Sequence, residues 1–280
     1  MGAKFEGVTK DGLSFSLNAL TYRSQLPSLH GGKGATNAFT GAVNATNPYL
    51  IAFDMEYPRV NLVGGSMDFQ VESLGAAMRL EGAYTTGEEF ANTLKPELYS
   101  KNPVWRSVIG FDRPTFVPFI STERTVLFSG QLFYQHIFDH QVEQRLLGLA
   151  GMPDWKDNAI ATLLMKAFLM NDRVSPEIIF ARDFRAQANV VAPAVEWLYT
   201  DNLKLKFGAN VKFGPNQSRN QWDDARTANP FAPFTAAYSG QAVGDTIALS
   251  NSEPLGRFRA GPIGTAFGQN EIYATLRYKF

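Results

Sequence analysis

The chain has 280 residues, its 26 Lys plus Arg are balanced by 26 Asp plus Glu, and it carries 3 His and no Cys. That length suits one large all-β domain, zero net charge leaves no overall field to attract nucleic acid, and the lack of Cys excludes disulfides and thiolate metal sites. No apolar run approaches a membrane-spanning helix, while 22 Phe, 10 Tyr and 24 Gly are what aromatic girdles and frequent turns would consume.

The first segment, residues 1–10, lacks the basic start and apolar core of an export signal. It ends at Lys10-Asp11-Gly12, an Asp-Gly hairpin signal. Leu13, Phe15, Leu17 and Ala19 then alternate with Ser14, Ser16 and Asn18. Residues 24–58 are rich in Gly, Asn, Thr and Pro and read as a long loop, within which Tyr49 to Phe53 is a candidate extra strand. From Pro58 a strand runs to a turn at Glu72-Ser73-Leu74-Gly75. Ala76, Met78, Leu80, Gly82 and Tyr84 then alternate with Ala77, Arg79, Glu81 and Ala83.

Residues 86–103 read as loop, followed by a strand in which Arg113-Pro114 marks an end or a bulge. A turn near Ser121-Thr122-Glu123 leads into the aromatic-rich stretch Thr125 to Phe138, and residues 139–156 read as a loop carrying a short helix. Ala159, Ala161, Leu163, Met165, Ala167 and Leu169 share one face of the next strand, although NAIATLLMKAFLM also has high helix propensity. After a turn at Asn171-Asp172, Val174, Pro176, Ile178 and Phe180 fall on one face, the proline signalling a bulge or an irregular edge. Val191, Pro193, Val195, Trp197 and Tyr199 form the next apolar face, before a turn at Asp201-Asn202.

The clearest strand follows. Leu203, Leu205, Phe207, Ala209, Val211 and Phe213 alternate with Lys204, Lys206, Gly208, Asn210 and Lys212, and three lysines on one face are incompatible with a dry core. Residues 214–268 form a very long loop whose apolar parts, 230–234 and 247–249, are candidates to reach into a barrel mouth or to pack as a lid. The chain closes on Ile272, Ala274, Leu276, Tyr278 and Phe280 on one face, and Glu271, Tyr273, Thr275, Arg277 and Lys279 on the other.

The periodicity thus predicts strands over 2–10, 13–23, 59–71, 76–86, 104–116, 124–138, 157–170, 174–186, 188–200, 203–214 and 269–280. The expected fold is all-β: an antiparallel transmembrane β-barrel, or the C-terminal part of one, with about 11 or 12 strands here, short turns at one end and long extracellular loops at the other. Eleven strands would leave the first and last running the same way, whereas a closed antiparallel barrel needs an even number. The expectation is a single barrel domain over 1–280 that lacks its N-terminal portion, with a gap beside residues 2–10 unless residues 48–57 supply a strand.

Arg79, Glu81, Arg106, Asp112, Lys204, Lys206, Lys212 and Arg277 are the candidate lumen-lining residues, with Arg113 beside Asp112. They would either guide a solute or form a network of ion pairs that fills the interior. His136 and His140 have metal-ligand spacing only for a helix, and no metal or other cofactor is expected. Gly64-Gly65-Ser66 has no flanking helix, and no nucleophile elbow, phosphate loop or dinucleotide fingerprint appears, so an enzyme is not expected.

Three stretches carry a family resemblance: Tyr57-Pro58-Arg59-Val60 through Gly65-Ser66 with Arg79-Leu80-Glu81-Gly82; Val108 to Thr115 with Phe128 to Phe133; and the closing Tyr278-Lys279-Phe280. With these motifs the chain resembles a functionally unassigned family of Gram-negative outer-membrane proteins, distantly like the long-chain fatty-acid transporter barrels. The resemblance covers most of residues 57–138 plus the last strand, and corresponds to the C-terminal part of such proteins. It implies a bacterial outer-membrane location, with outer-membrane lipid, the barrel-assembly machinery and a small-molecule solute as partners, and no nucleic acid. The expected function is passage or uptake of small, including hydrophobic, solutes; the alternative is a structural or adhesion barrel with a closed lumen whose loops bind a partner. Tyr278 and Phe280 would form the barrel-assembly signal. Deleting Phe280 is therefore expected to lower outer-membrane insertion in cells, read as loss of heat-modifiable protein; an unchanged yield would refute that role.

Overall fold

Side chains alternate sides along a strand, and residues directly opposite in an antiparallel pair point the same way, so this chain's period-two pattern predicts a sheet with two unlike faces. A computed structural model describes residues 1–34, 51–92, 94–95, 97–145, 148–214 and 269–279. In chain order the strands are β1 (Gly2–Val8), β2 (Ser14–Arg23), β3 (Ser28–Gly34), β4 (Ile51–Glu56), β5 (Arg59–Val71), β6 (Ala76–Ala91), β7 (Tyr99–Thr115), β8 (Val126–Ile137), β9 (Val142–Arg145), β10 (Gly148–Gly151), β11 (Asp157–Lys166), β12 (Val174–Asp183), β13 (Ala188–Thr200), β14 (Leu203–Phe213) and β15 (Glu271–Tyr278).

Eleven of them form one sheet in the order β1-β2-β5-β6-β7-β8-β11-β12-β13-β14-β15. Every neighbouring pair is antiparallel. The fold is all-β, and these eleven strands fall on the eleven segments read from the sequence. The sheet is open: β1 and β15 are its edges, they run in the same direction, and among the described residues they do not pair. Residues 51–56 do form a strand, but it pairs with β3 in a separate hairpin and leaves the β1 edge free of it.

Residues 28–34, inside the segment read as a long loop, form β3, and two further local expectations are corrected. Residues 86–103 are mostly strand, because β6 and β7 continue past an irregularity between Thr85 and Glu88 and pair through Glu88↔Asn102 to Ala91↔Tyr99. Polar residues on both sides of this ribbon hid its alternation. Residues 139–156 carry no helix among those described; β9 and β10 pair there as a hairpin. The segment from Asp157 is a strand despite its helix propensity, because β8 and β12 flank it and satisfy its backbone on both sides. It ends at Lys166 for a covalent reason: the Ala167 N–H donates to the Pro176 carbonyl at 3.0 Å, and proline has no N–H to return.

The turns follow their sequence signals. Gly12 and Gly75 adopt positive φ, 79° and 57°, at the β1–β2 and β5–β6 turns. Met170, Asn171 and Asp172 all lie in the left-handed region at the β11–β12 turn, where Asn and Asp tolerate it best. Turns after β1, β5, β7, β11 and β13 stand at one end of the sheet, and the β3–β4 and β9–β10 hairpins stand at the other.

The buried apolar cluster sits at that second end, where Val104, Ile137 and Met152 are fully buried with Phe90 packed against them. Elsewhere the sheet is one layer with two faces. The registers place Phe5, Leu17, Val63, Met67, Leu80, Ile109, Leu132, Leu163, Phe180, Val195, Phe207 and Leu276 on one side. Of these, Phe5 is 62% exposed, Val63 65%, Phe207 53% and Leu276 67%, so no other described segment covers this face. Close strand approach is set by small residues. A Cβ at Gly64 would lie 2.7 Å from the Gly82 carbonyl oxygen and 3.1 Å from Ala83 Cα, backbone atoms that the β5–β6 ladder holds in place. Gly64→Ala is expected to destabilise the sheet by about 1–3 kcal/mol, measured by denaturant unfolding in detergent.

Candidate functional site

The face opposite the apolar one carries the charge. Lys204 and Arg277 are directly opposed, as are Lys206 and Thr275, while Tyr278 lies on the apolar face opposite Leu203. Lys206 is also opposite Glu196, and Glu196 opposite Ser175. Glu177 lies at the centre of this region, accepting from Lys206 at 2.6 Å and from Lys166 at 3.1 Å. Lys204 donates to Glu196 at 2.8 Å, and Lys212 Nζ donates to the Gln269 carbonyl at 2.7 Å. Lys166, Lys204 and Lys206 are thereby each given an anion on a nearby strand, which compensates these charges without burying them fully.

The same face on β5–β8 holds a second network. Arg79 Nε donates to Asp68 at 2.7 Å and approaches Glu81 at 3.9 Å. Asp112 is opposite Ala77, and so shares this side with Arg79 and Glu81, whereas Arg113 falls on the other side. Arg106 does not pair with Asp112. Its guanidinium grips Glu88, with Nη2 to Oε2 at 2.7 Å, and its Nε donates to Gln135 at 3.0 Å. Phe280 and the stretches 230–234 and 247–249 lie outside the described residues.

Asp68, Glu88, Lys166, Glu177 and Glu196 complete these networks and were not singled out from the sequence. All but Glu88 had the correct parity on their strands; Glu88 reaches this face because the irregularity between Thr85 and Glu88 shifts the register of β6. What the sequence lacked was the level of one strand against the next, which decides which charges meet.

Arg106 borders a cavity of about 1050 Å³ near the loop-rich end of the polar face. Leu26, Phe90, Val108, Phe133, Trp155 and Ile160 contribute its apolar lining, and Glu88, Gln135 and Asn158 its polar lining. The registers set Val108, Phe133 and Ile160 side by side across three strands, with Arg106, Gln135 and Asn158 as the adjacent row.

His136 Nδ1 lies 2.6 Å from Asp157, and His140 Nε2 lies 2.7 Å from the Asp154 carbonyl. These segments are not helical, and among the described residues no group of three His, Cys, Asp or Glu is placed to hold a metal.

The β6–β7 ribbon beyond Val104 leaves the main sheet and is held against β3 by a polar cluster. His30 stacks on Tyr99, with ring centroids 3.8 Å apart, and its Nε2 meets Glu89 at 2.5 Å. Glu56 approaches His30 Nδ1 at 3.7 Å, and Lys101 lies 3.3 Å from Glu89. Burial works against ionisation of Glu89, but hydrogen bonds from His30, Ser28 and Lys101 outweigh it and hold its pKa below the ordinary glutamate value. A carboxylate whose folded pKa is depressed contributes stability that is fully present above the unfolded value, about 4.3, and is lost as pH falls through the folded value. Hydrogen exchange at Ser28 and His30 should therefore accelerate relative to its intrinsic rate at acid pH. Glu89→Gln should weaken hairpin docking by about 1.5–3 kcal/mol at neutral pH and remove that acid step; an acid step retained in the variant would refute the assignment to Glu89.

No curated protein matches the chain. A family profile described as a protein of unknown function, DUF1302, matches residues 1–239. The extent of that match, from β1 through β14, establishes that the chain belongs to the DUF1302 family.

Proposed function

We propose that this chain forms the wall of a bacterial outer-membrane β-barrel that passes or takes up small solutes, hydrophobic ones among them. The observation that carries the reading is the uncovered apolar face running from Phe5 on β1 to Leu276 on β15, opposite a face of paired charges. A soluble domain that left such a face in water would be an aggregation hazard, whereas hydrocarbon solvates it. The backbone condition for a membrane is met within the sheet, since interior strands pair on both sides. Tyr84, Trp105 and Tyr134 stand near one level on the apolar side, as an interfacial aromatic belt would.

On this reading the sheet rolls with its polar side inward. Its two parallel edges are then bridged by an odd number of further strands, because only that restores antiparallel pairing around the ring. Outer-membrane lipid contacts the apolar face, and the barrel-assembly machinery inserts the protein. The distant likeness to fatty-acid transporter barrels belongs to this proposal, as does a non-enzymatic role. A structural or adhesion barrel with a closed lumen would share the same outer face.

Two measurements test the proposal. Phe207→Arg, on the apolar side opposite Ala274, should destabilise the inserted protein by about 2–4 kcal/mol if that side meets the membrane midplane; a neutral effect would refute lipid contact. Proteoliposomes should swell in small neutral sugars, and absence of swelling with correctly inserted protein would favour the closed barrel.

A further inference from the structure

The cavity beside Arg106 has the volume of a small-molecule site and a mixed lining, and its cation is already paired with a lining carboxylate, Glu88. Arg106 donates through both terminal nitrogens to Glu88 and through Nε to Gln135, so the guanidinium offers no open fork to an incoming carboxylate. Glu89, on the same border, is engaged by His30 and Lys101. The rest of the wall is mixed: Ser24, Gln25, Ser28 and Asp154 contribute polar groups, and Val108, Phe133 and Ile160 form a continuous apolar row, with Leu26 and Trp155 also in the lining. One polar group in that wall has unmet capacity: Asn158 Oδ1 is buried and has no hydrogen-bond partner among the described residues. Its amide nitrogen donates to Asp183 at 3.4 Å, which fixes the oxygen as the end without a partner.

We infer that this cavity binds a neutral amphiphile, an apolar ring or short chain bearing a hydroxyl, and discriminates against the corresponding carboxylate. The inference rests on the passage reading and names its solute class. An apolar body replaces water against the Val108-Phe133-Ile160 row. A hydroxyl supplies the donor that Asn158 lacks once its side chain turns to open the amide oxygen, closed to water in the free protein, to the cavity. A carboxylate brings a third charge to a compensated pair in a partly desolvated wall, and must compete with Glu88 for Arg106.

The test is equilibrium dialysis of purified protein in detergent micelles against 1-naphthol and 1-naphthoate, with protein-free micelles as the blank. The expected result is saturable naphthol binding with naphthoate at least about tenfold weaker. Glu88→Gln frees the guanidinium and should raise naphthoate affinity about tenfold while leaving naphthol binding near its original value. Should that variant fail to fold, Ile160→Gln serves instead and should weaken naphthol without improving naphthoate. Equal or tighter naphthoate binding by the unaltered protein overturns the inference, as does the absence of saturable naphthol binding. Protein that swells liposomes yet binds no naphthol refutes this site and leaves the passage reading intact. Binding without swelling retains the site and refutes passage.

Discussion

Antiparallel pairing puts directly opposed residues on the same side of a sheet, and this protein depends on that constraint because its described residues form one layer over most of the sheet. A sandwich can tolerate a local mismatch of faces, since a second sheet covers it. Here each strand's parity must agree with its neighbours' across eleven strands, from Lys4↔Asn18 at one edge to Lys204↔Arg277 at the other. A slip of one residue in β14 would turn Lys204, Lys206 and Lys212 to the apolar side and Phe207 to the charged one. The ion pairs on Glu177 and Glu196 fix the register from the polar side, and the aromatic and aliphatic rows fix it from the other.

Most of the stabilisation therefore comes from the ladder and from whatever solvates the apolar face, with little from a dry interior. The fully buried cluster of Val104, Ile137 and Met152 is confined to the loop-rich end. It anchors the places where the sheet gives way to hairpins: the β6–β7 ribbon contributes Phe90, and Met152 follows the β9–β10 hairpin. That same end holds the cavity and the His30–Glu89 cluster, so the protein concentrates its non-repeating chemistry where the repeating sheet stops. This division matches the general rule that a rigid scaffold presents specific groups on its connecting segments.

Charge compensation shapes what the polar face can do. Arg79 with Asp68, Arg106 with Glu88, and Lys166 and Lys206 with Glu177 cancel at short range. A face arranged this way is wetted easily but projects little field beyond a Debye length. On the proposed reading, such a face suits a wall crossed by neutral solutes better than one that concentrates ions of a single sign.

The sequence by itself determined the strand positions, the two-faced character and the turns, because period-two alternation and Asp-Gly or Asn-Asp punctuation are local properties of the backbone. Leu203 to Phe213 and Leu13 to Ala19 carry that information without any partner. It also determined which charges could share a face wherever a strand runs without a bulge, since parity along a regular strand is independent of the fold. Only the tertiary structure decided which of them meet. Arg106 turned to Glu88, just past a ladder irregularity, and Glu177 came to bridge lysines on β11 and β14. Register is set by pairing between strands far apart in sequence, and no single strand encodes it. The β6–β7 ribbon and the β9–β10 hairpin were illegible for a related reason: short or polar on both sides, they exist as strands because a partner completes their hydrogen bonds.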